Sequence, residues 1–144
     1  MGLILDTSEF IFAERTRLTV DDLLARFDEA DSIAISVITL AELQHGVRRA
    51  ATPQQMTRRE RFIADVVASV TAIPVSIEIA LRAGDLDAEL ELNGESLQLN
   101  DLIIATTALI FDSAVVTSNV RHFSRIPGLQ LIPLSPHFSR EVSM

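Results

Sequence analysis

Three apolar residues, Leu3-Ile4-Leu5, run straight into a carboxylate and two hydroxyls, Asp6-Thr7-Ser8. A short run with no polar face suits a strand buried on both sides, as in a parallel sheet covered by helices. In open α/β sheets ligands bind beyond the carboxyl ends of such strands, where Asp6 falls. A carboxylate there accepts hydrogen bonds only, and its desolvation is costly unless donors or a cation compensate it. Asp6 is therefore either the N-cap of the next helix or part of a ligand site, and the segment alone fits both.

The design recurs along the chain. Ser32–Ser36 reads as a second buried strand, and Ala114-Val115-Val116 as a fourth that ends on Thr117-Ser118-Asn119. Ile73-Pro74-Val75 is a candidate third strand, which proline confines to a strand end or sheet edge. Residues 129–134 supply a short last strand, and 120–129 read as loop and turn.

Helical patterns fill the intervals. Residues 9–15 give a short helix with Phe10, Ile11 and Ala13 inward. Thr19-Val20-Asp21-Asp22 resembles a capping box ahead of Leu23, Leu24 and Phe27. Asp21, Asp22, Asp28, Glu29 and Asp31 read as a solvated face. In residues 36–43, Ser36, Thr39 and Glu42 recur every three positions, with Ile38, Leu40, Ala41 and Leu43 left for the core. Thr52-Pro53 opens a helix that continues through Phe62, Ile63, Val66 and Val67. Over Ile77–Leu92 the residues Ile77, Ala80, Leu81, Gly84, Ala88 and Leu92 follow a helical period that Asn93-Gly94 closes. Asn100 is a good N-cap for the last long helix, placing Asp101 in its first turn, where the helix dipole favours negative charge.

Strands alternating with helices predict a three-layer α/β/α fold around a central, mainly parallel sheet of about five strands. At 144 residues one domain suffices, over residues 1–134, with a C-terminal tail over 135–144 that holds His137 and Arg140. No segment approaches the ~18 to 20 apolar residues of a membrane span, and the N-terminus shows no signal-peptide pattern, so a cytoplasmic protein is expected. A 48% hydrophobic content leaves room for an apolar partner or dimer face.

Inventory removes several chemistries. Without cysteine there are no disulfides, thiolate nucleophiles or Cys-based zinc sites. All 12 basic residues are arginine, which excludes Schiff bases and a Walker-type lysine. A net charge of −8 argues against indiscriminate nucleic-acid binding, yet it suits an acidic metal site with basic residues elsewhere. Arg48, Arg49, Arg58, Arg59 and Arg61 form such a basic cluster.

In a parallel sheet all strand carboxyl ends share one edge. Asp6 and Asn119 lie on it, and Glu42 and Asp101 reach it from the starts of flanking helices. Three carboxylates brought together without lysine repel unless a divalent cation sits among them. Oxygen-only ligands favour Mg²⁺ or Mn²⁺ over zinc.

Four segments together carry a family resemblance: Leu3-Ile4-Leu5-Asp6-Thr7-Ser8; Ser36-Val37-Ile38-Thr39-Leu40-Ala41-Glu42-Leu43 with Gly46; Asn100-Asp101-Leu102-Ile103-Ile104-Ala105; and Thr117-Ser118-Asn119 with Phe123 and Pro127-Gly128-Leu129. In this order and spacing, over residues 2 to 134, the chain resembles the PIN-domain ribonucleases, specifically the VapC toxins of type II toxin–antitoxin pairs. The resemblance implies a Mg²⁺- or Mn²⁺-dependent endoribonuclease, a VapB-type antitoxin that blocks its acidic pocket through a basic or Arg-containing segment, a homodimer, and a folded RNA substrate such as tRNA or rRNA. It makes Asp6, Glu42 and Asp101 the metal-site and catalytic acids. Thr7, Ser8 and Thr117 become supporting groups that orient metal-bound water. Arg121, Arg48 and Arg49 become candidates for holding RNA phosphates. The family's fourth acid near the last motif is replaced here by Asn119 and His122, which also leaves open a PIN-like binding module without nuclease activity. Aspartyl-phosphate chemistry fits poorly, because it relies on a lysine and, in the dehalogenase-type phosphatases, on an aspartate where Ser8 stands.

Overall fold

The computed structural model describes residues 1–133. Five strands, β1 (Gly2–Leu5), β2 (Ser32–Ser36), β3 (Thr71–Ile73), β4 (Ala114–Thr117) and β5 (Leu131–Pro133), form one sheet in the order β3-β2-β1-β4-β5. Every pairing is parallel, so all carboxyl ends lie on one edge. The chain leaves β1 toward β2 and β3, then crosses back to place β4 on the other side of β1. That reversal opens a crevice between the ends of β1 and β4, the usual place for a ligand in such sheets.

Alternation along β1 divides the core in two. Leu3 and Leu5, with Ile35 and Val116, pack against Phe10 and Ala13 of α1 (Thr7–Arg15), Val20 and Leu23 of α2 (Val20–Leu24) and Phe62 and Val66 of α4 (Pro53–Ser69). Ile4 and Val115 point the other way. They meet Leu86 and Leu90 of α5 (Ile77–Leu92), Leu102, Ile104, Ala105 and Ala108 of α6 (Leu99–Ile110) and Phe123 of α7 (Val120–Phe123). Helix α3 (Val37–Arg48) gives Leu43 to the first cluster and Ile38 to the second, closing the end of the sheet where the carboxyl termini emerge. Each fully buried Leu, Ile or Val contributes about 1.5–3 kcal/mol, so this double core fixes β1 and with it the position of Asp6. This is the expected α/β/α architecture.

Local signals acted as anticipated at several ends. Thr19 and Asp22 form a reciprocal capping box, and Thr52 caps α4 with Pro53 following. Gly94 adopts φ 73° behind α5, a left-handed conformation that glycine takes without a steric penalty.

Other local expectations need correction. The third strand ends at Ile73 instead of running through Pro74, and it does lie at a sheet edge. Residues 120–123 form a helical turn that lets Phe123 reach the core, where a loop was expected. The last strand is shorter than 129–134, and residue 134 and the tail over 135–144 lie outside the described residues. Ile11 and Val67 are solvent-exposed, because α1 and α4 each meet the sheet along a narrower stripe than periodicity suggested. The largest difference is in α5. The stripe from Ile77 through Leu81 and Gly84 to Leu92 faces solvent, while Ile79, Ala83, Leu86 and Leu90 pack inward. This helix carries two apolar stripes, and packing against α6 selected the other one.

Candidate active site

Asp6 occupies the N-cap position of α1, yet its side chain caps nothing. The carboxylate instead accepts Thr117 Oγ1 at 2.8 Å from the end of β4 and Ser8 Oγ at 2.8 Å from its own helix. Both donors fall on Oδ2, and Oδ1 takes no hydrogen bond from the described residues. With Asp6 only 3% exposed, its buried carboxylate is satisfied by hydroxyls and does not cap the helix whose N-cap position it occupies. Asp6 N donates to Val116 O at 2.9 Å, which extends the β1–β4 ladder by one step and fixes the carboxylate in the crevice.

Glu42 comes from the middle of α3. Its Oε1 accepts Thr7 Oγ1 at 2.8 Å, and Thr7 Oγ1 lies 2.9 Å from Thr39 Oγ1. Thr39 is fully buried, so the three-residue rhythm of Ser36, Thr39 and Glu42 marks a face turned inward against α1, not a solvated one. Burial, and after it the charges of Asp6 and Asp101, push the Glu42 carboxyl above its ordinary range; hydrogen bonds from Thr7 and Asn100 pull the other way.

Asp101 stands in the first turn of α6. Burial first, then the charge of Asp6, raise its carboxyl, and His122 opposes them with Nδ1 at 3.8 Å from Oδ2. The N-cap of α6 is Gln98, not Asn100. Asn100 is the second residue of the helix, and its amide is the weakest of the influences on Glu42, lowering that carboxyl.

The acids therefore influence one another across the crevice, and among the described residues no arginine is ion-paired with Asp6, Glu42 or Asp101. No three of them are already gathered at ligand spacing among the described residues. Glu42 and Asp101 line a cleft of about 280 Å³ together with Asn119, His122 and Arg125. A larger groove, of about 730 Å³, lies between the α1–α2 turn and α4, away from Asp6, Glu42 and Asp101. The smaller cleft is the better candidate for chemistry, because Glu42 and Asp101 meet there with no arginine ion-paired to either among the described residues.

The remaining candidates separate clearly. Asn119 lines the cleft, and its backbone N–H donates to Thr117 Oγ1 at 2.9 Å, which orients the hydroxyl that serves Asp6. Arg121 is exposed on α7 but does not line the cleft; Arg125 does, with Nη1 donating to Ser96 O at 3.1 Å. Arg48 and Arg49 are exposed at the far end of α3. Of their cluster, Arg58 and Arg59 are paired with Glu14.

Sequence reading missed four groups. Thr39, Asn100 and Arg125 support or rim the site, and Glu9, 1% exposed, lies directly behind Asp6. Its carboxylate accepts Ser118 Oγ at 2.9 Å and is raised chiefly by burial. The available signal was spacing, since residues three apart at a helix start share a face.

The donor set is consistent with a hard divalent cation. It consists of carboxylates and hydroxyls only, with both Asp6 donors on one oxygen and two neighbouring carboxyls disfavoured as anions.

Comparison with known proteins bears on the same residues. The PIN-domain profile matches residues 3–129. The chain is 37% identical over 102 residues to ribonuclease VapC2 of Rickettsia felis, covering 70% of this chain and 73% of that protein. It is 29% identical over 132 residues to the tRNA(fMet)-specific endonuclease VapC of Salmonella typhimurium, covering 91% and 96%. Among solved structures it resembles VapBC2 of Rickettsia felis bound to a DNA fragment from its promoter, with a TM-score of 0.76 and 31% identity over 94% of this chain and 100% of that one.

Proposed function

The chain belongs to the PIN-domain family and stands among its VapC ribonucleases, and from that premise we propose that it is the toxin of a toxin–antitoxin pair, an endoribonuclease that hydrolyses RNA phosphodiesters with Mg²⁺ or Mn²⁺ held by Asp6, Glu42 and Asp101. The observation that supports the metal dependence is that these three acids influence one another across one crevice, with hydroxyl donors and no arginine ion-paired to any of them among the described residues. When bound, a divalent ion supplies charge neutralisation for the incoming phosphate and activation of the attacking water.

The chain's own residues set the rest. Thr117 and Ser8 fix Asp6 through one oxygen and leave the other for the ion; Thr7 does the same for Glu42. His122 and Arg125 on the cleft rim are placed to meet RNA phosphates beside the acids. A tRNA or rRNA loop is the proposed substrate class, since single-stranded loops expose a backbone that a narrow cleft can admit. The relative from Salmonella typhimurium is named for such a target.

The proposed inhibitor is a VapB-type antitoxin, in line with the VapBC complexes among the structural neighbours. An arginine-bearing segment laid into the cleft would give the acids the cation they lack. A homodimer is part of the same reading. Ile77 and Leu81 on the outer face of α5 are 81% and 67% exposed, and a Cβ added at Gly84, about one turn beyond Leu81, would meet nothing within 4 Å. Such a face admits a second α5 at close range. No helix among the described residues is long and apolar enough to cross a membrane, and a cytoplasmic setting is proposed with the rest.

Incubating the purified protein with total tRNA and rRNA, with Mn²⁺ or with EDTA, beside Asp101→Asn, tests the reading. Cleavage by the wild type with Mn²⁺ only is the expected result. Equal cleavage by the variant, or RNA binding without cleavage by either, would sink it in favour of a binding module.

A further inference from the structure

Glu9 is the buried acid that the site as described does not use. It sits in the first turn of α1, is 1% exposed, and forms no ion pair among the described residues. Its Oε1 accepts Ser118 Oγ at 2.9 Å and lies 3.4 Å from Ser8 Oγ, the same hydroxyl that donates to Asp6 Oδ2 at 2.8 Å. The two carboxylates thus share one hydroxyl, Ser8 from α1, while Ser118 from the turn after β4 serves Glu9 and Thr117 serves Asp6. Arg26 is the weakest of the influences on Glu9, while the charge of Asp6 opposes its ionisation.

An apolar side chain at this inward position, beside the core residue Phe10, would avoid the cost of burying a carboxylate. A second acid behind Asp6 makes physical sense when a cation arrives in front. Its charge then adds to the attraction, and its contact with Ser8 steadies one of the two donors that fall on a single Asp6 oxygen.

We propose that Glu9 is a positioning residue for the metal site, supplying from α1 a further negative charge behind Asp6 and strengthening the grip of Asp6 on a divalent cation through the shared hydroxyl of Ser8. The inference rests on the metal-dependent reading above. Glu9 is not itself a ligand, since it is enclosed and is joined to Asp6 through a hydroxyl. Groups that hold metal ligands from behind typically change affinity 10- to 100-fold when removed.

The test is calorimetric titration of Mn²⁺ into the metal-free full chain, with thermal unfolding of the same samples, for wild type, Glu9→Gln, Glu9→Asp and Asp6→Asn. Glutamine keeps the shape and an acceptor for Ser118 while removing the charge. Glu9→Gln is expected to bind Mn²⁺ about tenfold more weakly with a metal-free Tm equal to or above that of wild type. Glu9→Asp, which retains the charge, should recover most of the affinity, and Asp6→Asn should lose binding. Wild-type affinity in Glu9→Gln, with binding lost in Asp6→Asn, overturns the role of Glu9 and leaves the metal site standing. Weaker binding accompanied by a lower Tm assigns Glu9 to structure alone and also overturns it. Equal binding by wild type and Asp6→Asn removes the metal reading and this inference together.

Discussion

Glu14 and Asp6 are carboxylates at opposite ends of the same short helix, and the fold treats them in opposite ways. Glu14, with its side chain 10% exposed, receives two arginines: Arg58 Nε and Arg59 Nε lie 3.3 and 3.6 Å from its Oε1. Asp6, Glu9, Glu42 and Asp101 at the other end receive hydroxyls and one distant histidine. Arginine is not in short supply in a chain with 12 basic residues. The difference teaches what each end is for. A neutralised carboxylate joins α1 to α4 and is finished when the protein folds, whereas a crevice of acids without arginine partners is what the proposed cation would complete.

The largest contrast to break is functional. Asp6→Asn or Asp101→Asn should lower the rate of RNA cleavage on the order of 10³-fold or more, as removal of a member of a concerted site does, while the metal-free Tm stays level or rises. A variant that cleaves normally would put the chemistry elsewhere. Glu14→Gln should do the reverse. Stability falls by about 1–2 kcal/mol, discounted for the partial exposure of both arginines, and cleavage per folded molecule is unchanged; denaturant unfolding beside an activity assay separates the two.

The pH dependence sharpens the same point. Glu9, Glu42 and Asp101 have carboxyls raised in the folded protein, chiefly by burial. A raised acid is more readily protonated folded than unfolded. Its stabilising contribution is therefore complete below the ordinary carboxylate range and lost as pH climbs through the folded value. The metal-free protein should have a higher Tm near pH 5 than near pH 8, and saturating Mn²⁺ should flatten that slope. A metal-free Tm that rises across this interval contradicts the account.

The smallest expected effect comes from Asn119→Asp, which returns an acid to the cleft. Mn²⁺ affinity should tighten about threefold, following the added ligand charge, and metal-free stability should fall slightly; titration and unfolding read both.

Much of this arrangement was legible in the chain because strand ends are easy to find. Leu3-Ile4-Leu5 and Val115-Val116 could only be buried strands, and their polar ends had to share an edge once the sheet was parallel. Glu42 and Asp101 followed from helix starts near that edge. What stayed hidden depended on choices that periodicity leaves open. In α5 the stripe of Ile79, Leu86 and Leu90 and the stripe of Ile77, Leu81 and Leu92 are equally apolar, and only contact with α6 tells them apart. Asn100 looked like a cap because Asn usually is one, but its amide serves Glu42 and the helix begins earlier. Glu9 was passed over for a similar reason: a glutamate near a helix start ordinarily complements the dipole in solvent.

The most direct test of the central claim is an anomalous scattering map from crystals soaked in Mn²⁺. The account predicts a peak in the crevice within coordination distance of Asp6, Glu42 and Asp101, absent from Asp6→Asn crystals. A peak elsewhere, or none at saturating Mn²⁺ in a preparation that cleaves RNA, would contradict it.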